Sequence, residues 1–438
     1  MRTLPRTAAA VVALGLVLTA CSSDGDEAEP ETSSPAADAT PDDGASEAPA
    51  DTGPAINSVG GGDGPTVKIG MINQENSPLL SAPEVRTAAE GAVQYVNAEL
   101  GGIGGVPIEL VTCVQNSVEQ MQACTQQLAS DPDIVSVING VNLFTSAFDF
   151  YGTLGDKPVV GGVPLFPADF SSPDARYFFG GSLSAFAGIG RYAFDTLGGQ
   201  RIGVLYGSNA AGLAAKDALE TIFEVGQVEA EFVPVPSPST DVTPQVTQVA
   251  SGFDVIVVVT AAAECAPVMQ AVHQLGIAKE TVVYTGTCGD EEVLDAVGDL
   301  ALGSIMHFTL YNSDMIGVPD DKLAETLVQN DIYANYAPDT PSGGLAALGI
   351  TAVMNIRSLY EEIGVDNLDK ATILAAMDDG TPHNAFIGTP WICGVNPAFP
   401  SICNADNFFA PITEDGMWAI GDPVDALVLI AQAAAAGG

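Results

Sequence analysis

The sequence predicts an α/β protein made of two open, parallel-sheet lobes, and three observations predict it. Short apolar runs of strand length alternate with longer stretches whose apolar residues recur at helical spacing. That alternation proceeds from residue 66, breaks over an irregular stretch before about 184, and then restarts, which fits two open sheets better than one closed barrel. Finally, about 370 residues remain once the first 65 are set aside, enough for two cores.

The opening unit sets the pattern. Val67 to Ile72 is an apolar run of strand length, followed by a polar loop from Asn73 to Ser77. From Glu84 onward Val85, Ala88, Ala89, Ala92, Val93, Val96 and Leu100 fall on one helical face, and the glycines of Gly101 to Gly105 stop that helix. Val106 to Thr112 then reads as a second strand. Such a βαβ unit makes parallel neighbours through a right-handed crossover, and open sheets of this kind bind ligands beyond the carboxyl ends of their strands. The loop 73–77 is therefore the first candidate for chemistry.

The same reading continues along the chain. Strands are expected at Ile134–Ile138 and Pro158–Val160, with the loop 140–146 leading into a helix. After the break come helix Ala185–Leu197, strand Arg201–Tyr206, helix Ala210–Phe223, strand Glu229–Val233 and helix Val242–Ala250. Strand Asp254–Val259, helix Glu264–Leu275, strand Thr281–Tyr284 and strand Gly303–Phe308 follow. Beyond residue 312 the pattern turns helical, at Asp320–Asn335 and Gly344–Ile363, the latter so apolar that it should be buried. Residues 380–416 read as loops, Met417–Ile420 as a last strand, and Val424–Ala435 as a short packed helix.

The N-terminus has a different character. Arg2 and Arg6 precede an apolar run, Ala8 to Leu18, that is too short for a bilayer but suits a signal peptide over residues 1–20. Leu18-Thr19-Ala20-Cys21 resembles a bacterial lipobox, in which the cysteine becomes the lipid-bearing N-terminus. Residues 21–65 are rich in Ser, Ala, Pro, Gly, Asp and Glu, hold no Lys or Arg, and read as a disordered acidic tether. The whole chain carries a formal charge of −42. Eleven of its 55 acids lie between 22 and 65, so 44 acids against 11 bases leave the remainder near −33. Such a polyanion repels phosphate backbones, which excludes nucleic-acid binding, and it leaves attachment to the membrane to the lipid.

With Cys21 assigned to lipid, six cysteines remain, and they fall into the pairs Cys113–Cys124, Cys265–Cys288 and Cys393–Cys403, as suits an oxidising exterior. The three histidines, His273, His307 and His383, are scattered, with no metal or triad spacing. The 101–105 glycines do not form a nucleotide-binding fingerprint and no P-loop lysine follows them. No cofactor is expected.

From Val67 to about Gly421 the chain resembles the leucine/isoleucine/valine-binding family of type I periplasmic solute-binding proteins. The likeness is carried by VKIGM at the start of the fold, by NAELGGIGGVPIEL at the end of the first helix, and by a cysteine closing the second strand. The resemblance implies two lobes joined by three hinge crossings, with lobe one at 66–184 plus 313–380 and lobe two at 185–312 plus 381–438. It implies a monomer that captures a small-molecule ligand and delivers it to an ABC transporter permease. A ligand-sensing receptor coupled to a signalling partner is the alternative on the same fold, and an enzyme is the more distant one.

Family ligand contacts come from strand-end loops. In lobe one they map onto Gln74, Asn76 and Ser77, onto Asn142, Phe144, Thr145 and Ser146, and onto Val163. In lobe two they map onto Tyr206, Thr260, Glu264, Thr287 and Asp290. Helix N-termini behind such loops offer unpaired N–H groups that suit a carboxylate. Thr145 and Ser146 either add hydroxyls there or cap the following helix. Amino-acid-binding members place an acid shortly after a glycine in lobe two, yet Gly286-Thr287-Cys288-Gly289-Asp290 has none at the matching place. A buried ammonium needs a counter-charge. Either Asp290 or Glu264 supplies it, or the ligand is not an α-amino acid.

Overall fold

The computed structural model describes residues 53–437, apart from 78, 240, 343 and 416. The signal peptide, Cys21 and the tether up to residue 52 lie outside the described residues.

Two separate sheets form the frame. The first has the order β1-β3-β2-β4-β5-β6, where β1 is Ala55–Gly60, β2 Val67–Gln74, β3 Ile108–Gln115, β4 Ile134–Asn139, β5 Val159–Gly162 and β6 Ala175–Arg176. Strands β2 to β6 pair in parallel, as expected for βαβ units. Strand β1 runs antiparallel to β3, with Ala55 opposite Val114 and Gly60 opposite Glu109. This corrects the tether, expected to stay disordered to residue 65. Main-chain pairing to an otherwise open edge needs little apolar side chain, so composition gave no sign of it.

The second sheet has the order β15-β13-β11-β10-β9-β7-β8. Here β7 is Arg201–Gly207, β8 Glu229–Val235, β9 Val255–Val259, β10 Val282–Tyr284 and β11 Ile305–Phe308. A two-strand ribbon joins β12 (Met315–Ile316) to β14 (Trp418–Ala419). Strands β13 (Asp406–Pro411) and β15 (Val424–Asp425) close the sheet's far edge antiparallel. Residues 407–410 therefore form a buried strand within the stretch read as loops.

Helices cover both sheets. In the first half these are α1 (Pro83–Glu99), α2 (Val118–Ser130), α3 (Phe150–Leu154), α4 (Pro167–Ser171), and later α10 (Asp320–Asn335), α11 (Ala346–Ile363) and α12 (Lys370–Met377). In the second half they are α5 (Gly181–Arg191), α6 (Ala210–Gly226), α7 (Thr243–Ala250), α8 (Ala262–Gln274), α9 (Glu291–Val297) and α13 (Leu427–Gly437). Helix α1 buries the predicted stripe from Val85 to Val96, and α11 is buried along most of its length. Gly102 shows why the turn after α1 is glycine: its φ is +82°, and a Cβ there would stand 2.1 Å from the Val106 carbonyl oxygen. No helix among the described residues is long and apolar enough to cross a membrane.

The chain crosses between the halves three times. The first crossing is at Gly180–Gly181, where φ at Gly181 is +55° and a Cβ would lie 1.9 Å from the Pro164 carbonyl oxygen. The second follows Val318, after β12, and leads into α10. The third falls near 404–405, later than the expected boundary at 380/381. Ala385, Phe386, Ile387, Trp391, Cys393 and Cys403 are buried in the core of the first half. Main-chain bonds from Tyr177 N to Ser401 O and from Cys403 N to Tyr177 O hold this segment beside β6. All three expected disulfides are formed.

Candidate functional site

The strands of the first sheet end at a cluster of polar side chains. Gln74, the last residue of β2, is fully buried, and its Oε1 accepts from Leu143 N at 2.8 Å and from Gln115 Nε2 at 3.4 Å. Asn142 is equally buried: its Oδ1 accepts from Gln115 Nε2 at 2.8 Å and its Nδ2 donates to Ile72 O at 2.9 Å. Asn76 is exposed in a left-handed conformation (φ 56°), and Ser77 is buried with its Oγ accepting from Leu79 N. Val163 is anchored by its N–H to Asn139 O at 2.8 Å.

Phe144 packs partly buried against the sheet, Ser146 is exposed, and Thr145 is 1% exposed. The helix expected straight after 146 begins only at 150, capped by Asp149 through Gly152 N. Thr145 and Ser146 are therefore not its caps. The Thr145 hydroxyl is directed to the Asp169 carboxylate, whose charged form it favours.

In the second half, Tyr206 is buried within β7 among the core side chains. Thr260 follows β9, and its carbonyl accepts from the Thr287 hydroxyl at 3.4 Å. The Cys265–Cys288 disulfide then ties the two loops together. Glu264 lies in the first turn of α8, where a helix N-terminus favours a negative charge. It is 0% exposed, and neither carboxylate oxygen has a hydrogen-bond partner among the described residues. Asp290 stands at the N-cap position of α9 without making a capping bond.

Asp290 also meets the first half. Its carboxyl is raised above its ordinary value by burial, and then by the charges of Glu84 and Glu292. Glu84, in the first turn of α1, is raised by burial and by Glu75. Two carboxyls from opposite lobes thus oppose each other. Glu75 is itself ion-paired with Arg86, whose Nε is 2.6 Å away.

The sequence reading did not single out Glu84, Gln115 or Asp169. Gln115 ends the second strand at the same level as Gln74, so sheet register was the available signal. Among the described residues no group of His, Cys, Asp and Glu could hold a metal ion. A concavity of about 520 Å³ lined by Glu362, Thr372, Asp379 and His383 includes none of these strand-end residues.

Two α/β lobes, each carrying polar loops at the carboxyl ends of its parallel strands and linked by three crossings, define a two-lobed solute-binding architecture. A profile of the periplasmic binding protein family matches residues 66–393, and the chain belongs to that family, in its type I form. The family is one of substrate-binding proteins rather than enzymes. No curated protein matches the chain. Among solved structures, an ABC transporter substrate-binding protein from Sphaerobacter thermophilus is 19% identical with a TM-score of 0.65, covering 83% of this chain and 98% of its own. A fatty acid ABC transporter substrate-binding protein from Thermomonospora curvata is 16% identical (TM-score 0.63; 83% and 93% covered). A leucine binding protein from Thermotoga maritima is 15% identical (TM-score 0.61; 82% and 99% covered). At such identities these likenesses establish the fold.

Proposed function

We propose that this chain is an extracytoplasmic lipoprotein, anchored through Cys21, that captures a small polar solute between its lobes and delivers it to an ABC permease. An amino acid, an amide or a small carboxylate fits the reading. The observation that carries it is Glu264, which lies beyond the end of a parallel strand in lobe two, is fully buried, and has no hydrogen-bond partner for either carboxylate oxygen among the described residues. Thr145, buried beyond the end of a lobe-one strand, shares its hydroxyl with Asp169. Buried polar atoms are normally paired, so the Glu264 carboxylate supports a solute that pairs it. A hydroxyl from lobe one suits a carboxylate or carbonyl, and a carboxylate from lobe two suits an amine. Gln74, Asn76, Ser77, Asn142, Phe144, Ser146, Val163, Tyr206, Thr260, Thr287 and Asp290 complete the proposed ligand face. A solute that touches both lobes binds the closed form better and so draws the hinge shut.

The ligand class rests on these residues, since similar structures carry ligand names as different as leucine and fatty acid. The test is titration calorimetry of L-leucine, L-glutamine, acetamide and acetate against wild type, Thr145→Ala and Glu264→Gln. At least one compound should bind wild type and bind a variant about tenfold more weakly, the effect of one lost hydrogen bond near 1.4 kcal/mol. Binding unchanged in both variants would remove these residues from the site.

A further inference from the structure

Beneath the lobe-one loops runs a line of buried polar side chains. Gln115 Nε2 donates to Asn142 Oδ1 at 2.8 Å, Asn142 Nδ2 to Asn139 Oδ1 at 2.7 Å, and Asn139 Nδ2 to the Tyr177 hydroxyl at 3.0 Å. The Tyr177 and Tyr151 hydroxyls are 2.7 Å apart, and Tyr151 donates to Asp169 Oδ1 at 2.7 Å. A phenol has one proton. Tyr151 commits its proton to Asp169, so Tyr177 is the donor between the two phenols, and its oxygen accepts from Asn139. Every donor in the line therefore points the same way, toward Asp169.

Both ends of the line hold main chain. Asp169 Oδ2 accepts from Leu165 N at 2.8 Å and from Phe166 N at 2.9 Å, which fixes the loop after β5. At the other end Gln115 meets Gln74 Oε1, which also accepts from Leu143 N. One line thus reaches the loops after β2, β4 and β5. Its direction is set by the carboxylate at its terminus. Reversing it is opposed along the way, because Asn142 Nδ2 is also committed to Ile72 O.

We propose that Asp169 is a positioning residue that fixes the pose of all three lobe-one loops through this directed chain of hydrogen bonds. Its relevance to ligand rests on the solute-binding reading above, but the test needs no ligand and stands or falls separately. The experiment is amide hydrogen exchange by mass spectrometry on the full chain. In Asp169→Asn the amide oxygen retains Leu165 and Phe166 while the amide N–H₂ confronts the Tyr151 donor. Exchange should quicken about tenfold in peptides covering 163–170 and also in those covering 139–146, with 255–259 unchanged. Tyr177→Phe cuts the line at its middle and should quicken 139–146 alone, and it decides the matter if Asp169→Asn does not fold. Quickening confined to 163–170 in Asp169→Asn, or wild-type exchange of 139–146 in Tyr177→Phe, would overturn the proposal.

Discussion

His307 lies in β11 with Nε2 2.7 Å from Asn407 Oδ1, while Asn407 Nδ2 donates to Ala405 O at 2.8 Å and to Ser184 O at 3.2 Å. Since Asn407 offers an oxygen, the imidazole donates, and the pair links β11, β13 and α5. Burial pushes the imidazole down to about 4, against an ordinary 6.5. The unfolded chain therefore takes up a proton that the folded chain refuses, and stability falls as the pH drops from 6.5 toward 4. Relative to His307→Gln, wild type should lose about 2–3 kcal/mol over that window, read from denaturant midpoints. A constant difference would show that His307 titrates normally in the fold. Asp290 and Glu84 behave in the opposite sense. Their raised values mean that the folded state prefers them protonated, so their repulsion costs stability at neutral pH and fades as pH falls through the carboxylate range. Asp290→Asn removes the charge without removing a cap, and should raise the melting temperature at pH 7 by an amount worth less than about 1 kcal/mol. The gain should vanish in acid. Little of this was legible beforehand: Glu264 and Asp290 stood out through the family resemblance, but burial and unmet hydrogen bonds are properties of packing. Asp169 sits among loop residues, and nothing local marks it as the end of a line of donors.

At the scale of elements, the sequence was most readable where side chains carry the burial. The α1 stripe, the β9 run Val255–Val259 and the apolar α11 are all present close to their expected bounds. The pair Cys113–Cys124 was readable for a similar reason, since a strand end and the next helix place the two Cα atoms at bridging distance, 5.7 Å. What escaped was held by main chain. Strand β1 is largely exposed, and its place depends on pairing with β3. The segment 385–403 was expected in lobe two but packs in the first half, because its attachment runs through Tyr177, Ser401 and Cys403, far apart in sequence. A chain beginning at residue 62 should therefore show faster amide exchange over 108–115 and a lower melting temperature than one beginning at 53. Identical behaviour of the two would mean that β1 contributes nothing to the sheet.

At the scale of the molecule, three crossings join two halves that each carry their own sheet and core. Tyr311 N donates to Ile387 O, so the chain before the second crossing is braced by the segment that leads to the third. The charge of −42 disfavours large anionic partners. A bound solute stabilises the folded form by mass action, about 2.7 kcal/mol when its concentration is a hundred times its dissociation constant. Solute capture without chemistry is tested by a melting-temperature screen against amino acids, amides, small carboxylates and urea, with the compounds recovered afterwards. At least one compound should raise the melting temperature in a concentration-dependent manner, Thr145→Ala or Glu264→Gln should weaken the shift, and the compound should be recovered unchanged. A compound that stabilises the protein and is converted by it, or a complete screen without any shift, would rule out capture without chemistry.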